Sequence, residues 1–159
     1  METDHDLQRF NDSPLFNALG FRVTACDEQH LTLDIADDNP CHQGGFGILQ
    51  AIGINGAVIS AALESAIGLC GFNAFGGRPT GVVELSVKIL RVIRKKPCRI
   101  DAVIDKKSRD IAFVSAVLYS AQGGTCATAT GIVVTRQRKE VDGEGCASTE
   151  PDEALKQDQ

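Results

Sequence analysis

Hydrophobic positions recur along this chain with two different periods. Leu31, Leu33 and Ile35 alternate with Thr32, Asp34 and Ala36, the two-residue period of a strand with one buried face. FRVTACDE, just before them, has the same character, and Asp27 to Gln29 join the two stretches, so a hairpin is predicted. From Asn55 to about Leu69 the period lengthens. Val58, Ile59, Ala62, Leu63, Ala66 and Ile67 recur at helical spacing with no proline among them. This predicts one long helix with Asn55 as N-cap and Gly71 as its end. A shorter helix is expected over SPLFNALG, with Ser13 as N-cap, Pro14 at the first helical position and Gly20 as the stop. Beyond the long helix, GVVELSVKIL, RIDAVIDKK, DIAFVSAVLYS and TCATATGIVVTR are rich in Val, Ile, Thr, Ser and Ala. They are separated by the turn-like KKPC, KSR and AQGG, and predict four strands in a meander. About six strands and one long helix, with no second helix to cover the other face of the sheet, predict an α+β domain in which an antiparallel sheet wraps around the helix.

Length and composition add boundaries. The chain has 159 residues, 43% of them apolar and 23% charged, which suits one globular domain, placed at residues 13–139. Residues 1–12 are set apart as a flexible N-terminal segment. Residues 140–159 hold seven acidic residues and one lysine, and are expected to form a disordered acidic tail. No uninterrupted apolar stretch reaches the roughly 20 residues that span a bilayer, and METDHDLQRFNDS is acidic rather than basic then apolar. A cytoplasmic protein without membrane contact is expected. The six cysteines form no C-x-x-C pair and read as free thiols. His5, His30 and His42 have no i, i+4 partner, so neither a metal nor a cofactor is expected.

Charge changes the picture once. From Arg78 to Lys139 there are 13 basic residues against four acidic ones, which favours an anionic partner. Nucleic acid is disfavoured, because Phe113 and Tyr119 are the only aromatic residues in that half and stacking platforms need several.

The candidate chemistry lies in INGAVISAALESAIG. Between Asn39 and Gly77 the only formally charged residue is Glu64. On a helix it shares a face with Ala57, Ser60, Ala61, Ile67 and Gly68, most of them small, which would leave a carboxylate at the floor of a narrow slot. A helix so poor in polar residues is expected to be largely enclosed. An unpaired carboxylate there costs several kcal/mol or titrates high, a cost usually tolerated at functional sites. The first amides of the helix, around Gly56 and Ala57, carry positive partial charge and can polarise a carbonyl. Gly56 and Glu64 lie about 12 Å apart along one helix. Two helices side by side, from two protomers, would bring the amides of one to the carboxylate of the other. An oxyanion donor facing a nucleophile or general base is what acyl transfer to water requires. No G-x-S-x-G supports a serine nucleophile.

Several stretches together resemble the hotdog-fold acyl-CoA thioesterases of the PaaI-like, phenylacetate-pathway group. In that family His-Gly-Gly, six residues and then Asp or Glu open the central helix; here Asn55, Gly56 and Ala57 stand in the first three places and Glu64 in the acidic one. LGFRV, GVVELSVKILR and IAFVSAVLYSAQGGTCATATGIVV resemble its flanking strands, so the likeness covers about Leu15 to Thr135. CHQGG offers a competing register, but nine residues beyond His42 stands Ala51, which is not acidic. The resemblance implies a hotdog fold assembled as a homodimer or homotetramer, with acyl-CoA as substrate. Gly56 would give its N–H to the thioester carbonyl, and Glu64 of the other subunit would act as nucleophile or base. Gln50 would orient substrate or water. Ala57, Ser60, Gly68 and Val82 would line the substrate, and Arg91, Lys107 and Arg109 are candidates for the phosphates of coenzyme A. Asn55, Ala57 and Val82 depart from the family pattern. A catalytically silent hotdog domain that binds acyl-CoA or another lipid-like ligand is therefore the alternative, and a dehydratase or isomerase would want a histidine where Asn55 stands.

Overall fold

The computed structural model describes residues 4–36, 39–44, 53–94 and 97–136. Gln50, Lys95, Lys96 and the acidic tail lie outside them. Helices α1 (Asp4–Asn11) and α2 (Pro14–Leu19) lead into strands β1 (Phe21–Cys26) and β2 (His30–Ile35). Helix α3 (Gly56–Ala74) follows, then β3 (Thr80–Ile89), β4 (Cys98–Lys107), β5 (Ile111–Tyr119) and β6 (Thr125–Thr135). The hairpin forms as the alternation predicts, with Phe21 opposite Ile35. Asp27 closes it by accepting the backbone N–H groups of Gln29 and His30, each at 2.7 Å. Those bonds hold the Asp27 carboxyl below its ordinary value of 3.8, with the protonatable ring of His30 adding to the effect. In α2, Pro14 opens the helix and Gly20 ends it at a φ of 64°, while Ser13 stands at the N-cap without a side-chain bond.

All six strands form one antiparallel sheet in the order β1-β2-β4-β5-β6-β3. This corrects the four-strand meander. Only β4, β5 and β6 follow one another; β3 pairs with β6 at the far edge, and β4 pairs with β2 instead. The chain after Ile89 is not a tight turn. Leu90 donates to the Cys126 carbonyl, and the buried Ile93 accepts from the Ile54 amide, so the connection runs past the start of α3 before β4 begins.

Helix α3 packs against β2, β3, β4, β5 and β6. Ile59, Leu63, Ile67 and Cys70 of α3 meet Leu33, Ile100, Leu118 and Val133 in one core. The helix runs to Ala74, past the end expected near Leu69 to Gly71. Gly71 is not a helix stop: a methyl group there would lie 2.5 Å from Val133 Cγ1, so glycine lets α3 approach β6. At 19 residues with a mean hydropathy of 1.4, α3 is long and apolar enough to cross a membrane, which the shorter helix read from the sequence was not. Its place is that of a core helix.

The two edges of the sheet differ. At β1, the Asn11 side chain accepts from the Val23 amide at 2.8 Å and donates to its carbonyl at 3.0 Å, covering the edge. At β3, Val83 is an extra residue bulged out between Val82 and Glu84, and no described residue pairs with the outer edge. The bulge keeps Val82, Leu85 and Val87 against the core, because without it Val82 would fall on the opposite face.

Candidate functional site

The start of α3 is held by three backbone bonds. Gly44 donates to Gly53, Ile54 to Ile93 and Asn55 to His42, at 2.7, 2.9 and 2.8 Å. Gly53 has a φ of 114°, and a side chain there would collide with the Ile93 carbonyl, so this junction needs glycine. Asn55 is the N-cap: its Oδ1 accepts the Ala57 amide at 2.9 Å and its Nδ2 donates to the Gln43 carbonyl at 3.5 Å. The Ala57 amide is therefore satisfied, whereas the Gly56 amide has no acceptor among the described residues. Of the two expected carbonyl-polarising donors, Gly56 remains available at the positive end of a 19-residue helix.

Glu64 lies two turns along α3 with its side chain exposed. The expectation of a helix enclosed on all sides is overturned for this face. A single six-stranded sheet covers one side of α3, and the stripe through Ala57 and Glu64 looks outward, with Ser60, Ala61 and Gly68 half-buried beside it. In the single chain Glu64 bears no cost of burial and has no hydrogen-bond or ion-pair partner among the described residues.

Glu64 lines a cleft of about 500 Å³ between α3, the start of β3 and the N-terminal helices. Gly68 and Val82 line the same cleft, and they touch: a methyl group on Gly68 would lie 3.3 Å from Val82 Cγ2. Three of the residues singled out in the sequence thus come together. Among the lining residues not singled out in the sequence are Arg9, Phe10, Phe16 and Phe72. Phe10 packs edge-on against Phe72 with ring centres 5.8 Å apart, and Phe16 packs likewise on Phe21. Composition sets residues 1–12 apart from the domain, yet Asp4–Asn11 form a helix whose Phe10 helps build this wall. The spacing of Leu7 and Phe10 was the signal available.

The three basic residues proposed for phosphate do not gather within one chain. Arg91 is exposed near the β5–β6 turn, its guanidinium 3.4 Å from where a Gly124 side chain would begin. Ile89, two residues before it, lies 3.4 Å from where a Gly56 side chain would begin, so Arg91 stands toward the start of α3. Lys107 and Arg109 stand at the other end of that helix, about 27 Å away at 1.5 Å per residue. Lys107 donates to the Ala74 carbonyl and lies over the Phe75 ring, while Arg78 donates to the carbonyls of Phe75 and Arg109. Cations at these carbonyls complement the negative end of the α3 dipole. Among the described residues there is no cluster of His, Cys, Asp and Glu able to hold a metal ion.

Neither the protein-family models nor the curated proteins match this sequence. Solved structures do. A thioesterase from Haemophilus influenzae superposes with a TM-score of 0.72 at 17% identity, over 88% of this chain and 96% of that one. A thioesterase family protein from Silicibacter pomeroyi gives 0.68 at 21%, over 80% and 92%. The PaaI protein from the phenylacetic acid degradation operon of E. coli gives 0.69 at 11%, over 82% and 89%. At these identities the likeness is one of fold, and with six antiparallel strands around one long helix the chain has the hotdog fold.

Proposed function

We propose that this protein is a cytoplasmic acyl-CoA thioester hydrolase of the PaaI-like kind, working as a homodimer or as a tetramer of such dimers. The observation that carries the reading is Glu64, a carboxylate without a partner among the described residues, on the core helix of a hotdog fold at the wall of a cleft of about 500 Å³. The fold is the one seen in thioesterases, and the open edge of β3 supplies a surface for a second copy. That edge runs for ten residues, with Val83 63% and Ile89 49% exposed. An unprotected, partly apolar edge of this length is suited to symmetric pairing.

In such a dimer the Gly56 amide of one chain faces Glu64 of the other. Glu64 takes a proton from water as the water oxygen bonds to the thioester carbonyl carbon, and Gly56 of the partner subunit donates its N–H to the oxygen that gains negative charge. The carbon–sulfur bond then breaks, the proton on Glu64 passes to the departing thiolate, and a carboxylic acid and the CoA thiol leave. Gln50 would orient the water or the substrate. Ala57 and Ser60 would border the thioester, and Gly68 and Val82 the acyl group. Arg91, exposed toward the start of α3, is the best placed of the basic residues for a CoA phosphate. Lys107 and Arg109 could reach one only from another subunit.

Asn55 favours a second reading. Its Oδ1 accepts the Ala57 amide and its Nδ2 turns to the Gln43 carbonyl, and a neutral amide has no proton to exchange, so a domain that binds acyl-CoA without cleaving it fits that arrangement. A panel of short, medium and aromatic acyl-CoAs, read by thiol release, separates the two. Turnover that falls about 100-fold or more in Glu64→Gln, with the fold intact, supports hydrolysis. Binding by calorimetry without thiol release supports the second reading, and turnover untouched by Glu64→Gln refutes the mechanism.

A further inference from the structure

Among the described residues Arg9 is the one basic residue lining the Glu64 cleft, and the reading above gives it no role. It sits in the last turn of α1, and among the described residues its guanidinium has neither a hydrogen bond nor an ion pair. Most of the remaining lining is apolar and includes the half-buried Phe10, Leu69, Phe72 and Val82, with Ser65 and Thr80 as its polar members. The cleft therefore carries an acid, an apolar lining and a cation.

From this arrangement we infer that the protein prefers acyl groups ending in a carboxylate, with Glu64 at the thioester, the methylene chain along Phe10, Phe72 and Val82, and Arg9 holding the far carboxylate. The inference rests on the reading of the cleft as the acyl site. A guanidinium matches a carboxylate with two parallel hydrogen bonds, which an ammonium on a flexible stem does not. Without Arg9, a second carboxylate entering an apolar cleft that already holds Glu64 would meet repulsion and an uncompensated loss of hydration. With Arg9 the far end is neutralised. An acyl group of equal length ending in a methyl group gains nothing from Arg9, so the preference separates two substrate classes of the same size.

The test compares glutaryl-CoA with valeryl-CoA, and succinyl-CoA with butyryl-CoA, on the full-length protein and on Arg9→Gln and Arg9→Lys. The wild type is expected to favour the carboxylate-ended member of each pair. Arg9→Gln should lower kcat/KM for that member about 10- to 100-fold, the range of charge-assisted hydrogen bonds, and leave the methyl-ended member unchanged. Arg9→Lys should fall between. Equal losses on both members would mean that Arg9 acts through Glu64, and no loss on either would mean that it faces solvent; both results overturn the inference. Should the wild type hydrolyse none of the four, the wider panel of acyl-CoAs above decides whether hydrolysis fails. Calorimetry with glutaryl-CoA and valeryl-CoA then decides the role of Arg9: tighter binding of glutaryl-CoA, lost in Arg9→Gln, supports it, and equal affinities refute it.

Discussion

Replacing Gly71 by alanine sets two opposing effects against each other inside α3. In a helix interior alanine is favoured over glycine by about 1 kcal/mol. At Gly71, however, the new methyl group would lie 2.5, 2.7 and 2.8 Å from three atoms of Val133. Val133 is fully buried, stiff at its β-branch, and sits on β6 between β3 and β5, so it cannot swing away. Overpacking costs about 1–3 kcal/mol, and three contacts this short put the cost at or beyond the top of that range. The net expectation is about 2 kcal/mol of destabilisation, or about 4–8 °C in Tm for a chain of this size. Gly68, three residues earlier, is the control. A methyl group there meets a single methyl of the half-buried Val82 at 3.3 Å beside the cleft, where a small side-chain shift relieves it. Gly68→Ala should be neutral, or stabilising by up to about 1 kcal/mol. Urea and thermal unfolding at a fixed chain concentration compare the two variants, since an associating protein gains stability with concentration. In a Val133→Ala background the space opens, and Gly71→Ala should lose most of its penalty. If Gly71→Ala is no less stable than Gly68→Ala, or if its cost persists without the Val133 side chain, the close packing of α3 on β6 is wrong.

Burial pushes the Cys70 thiol up to about 12, with Asp27 and Asp105 adding to the effect. A thiol reagent at neutral pH should therefore label exposed Cys41 within minutes and spare Cys70 until the protein unfolds; prompt labelling of Cys70 in the native state would contradict its place in the core. The Asp27 carboxyl is lowered by the amides it accepts, so its stabilising contribution is present above its unfolded value of 3.8 and is lost as pH falls through the lower folded value. Asp27→Asn keeps an acceptor oxygen for those amides but cannot ionise; the stability difference between wild type and variant should shrink as urea midpoints are followed from pH 6 to pH 3, and a constant difference would refute the role of the charge.

What the sequence revealed follows from what periodicity reports. Alternation in β2 and the helical spacing from Val58 to Ile67 state which face of an element is buried, and those faces meet in the core. Periodicity does not state which strand lies beside which, so it leaves β3 next to β4 in a meander, whereas β3 pairs with β6. Glycine is ambiguous for the same reason. At Gly20 it ends a helix with a φ of 64°, whereas at Gly71 it admits a neighbouring strand, and only the packing distinguishes the two uses. Glu64 and Gly68 are legible because α3 keeps regular spacing, and Val82 through the resemblance of its strand. The N-terminal part of the cleft is not, because eight residues of α1 carry too short a pattern to separate from an unstructured segment. That omission hid Arg9, the other charged residue in the cleft.

The central claim concerns two chains, and mixing two defective ones tests it most directly. Glu64→Gln removes the proposed base, and Gly56→Val places a side chain over the proposed oxyanion donor; each homodimer should be inactive. If the site is shared, a mixed dimer carries both defects in one site and neither in the other. Random exchange of equal amounts should then restore about a quarter of wild-type thiol release, since half the dimers are mixed and each has one intact site. Activity that stays at the level of the separate variants, while mixed dimers are shown to form, would contradict a site built from Glu64 of one chain and Gly56 of the partner subunit.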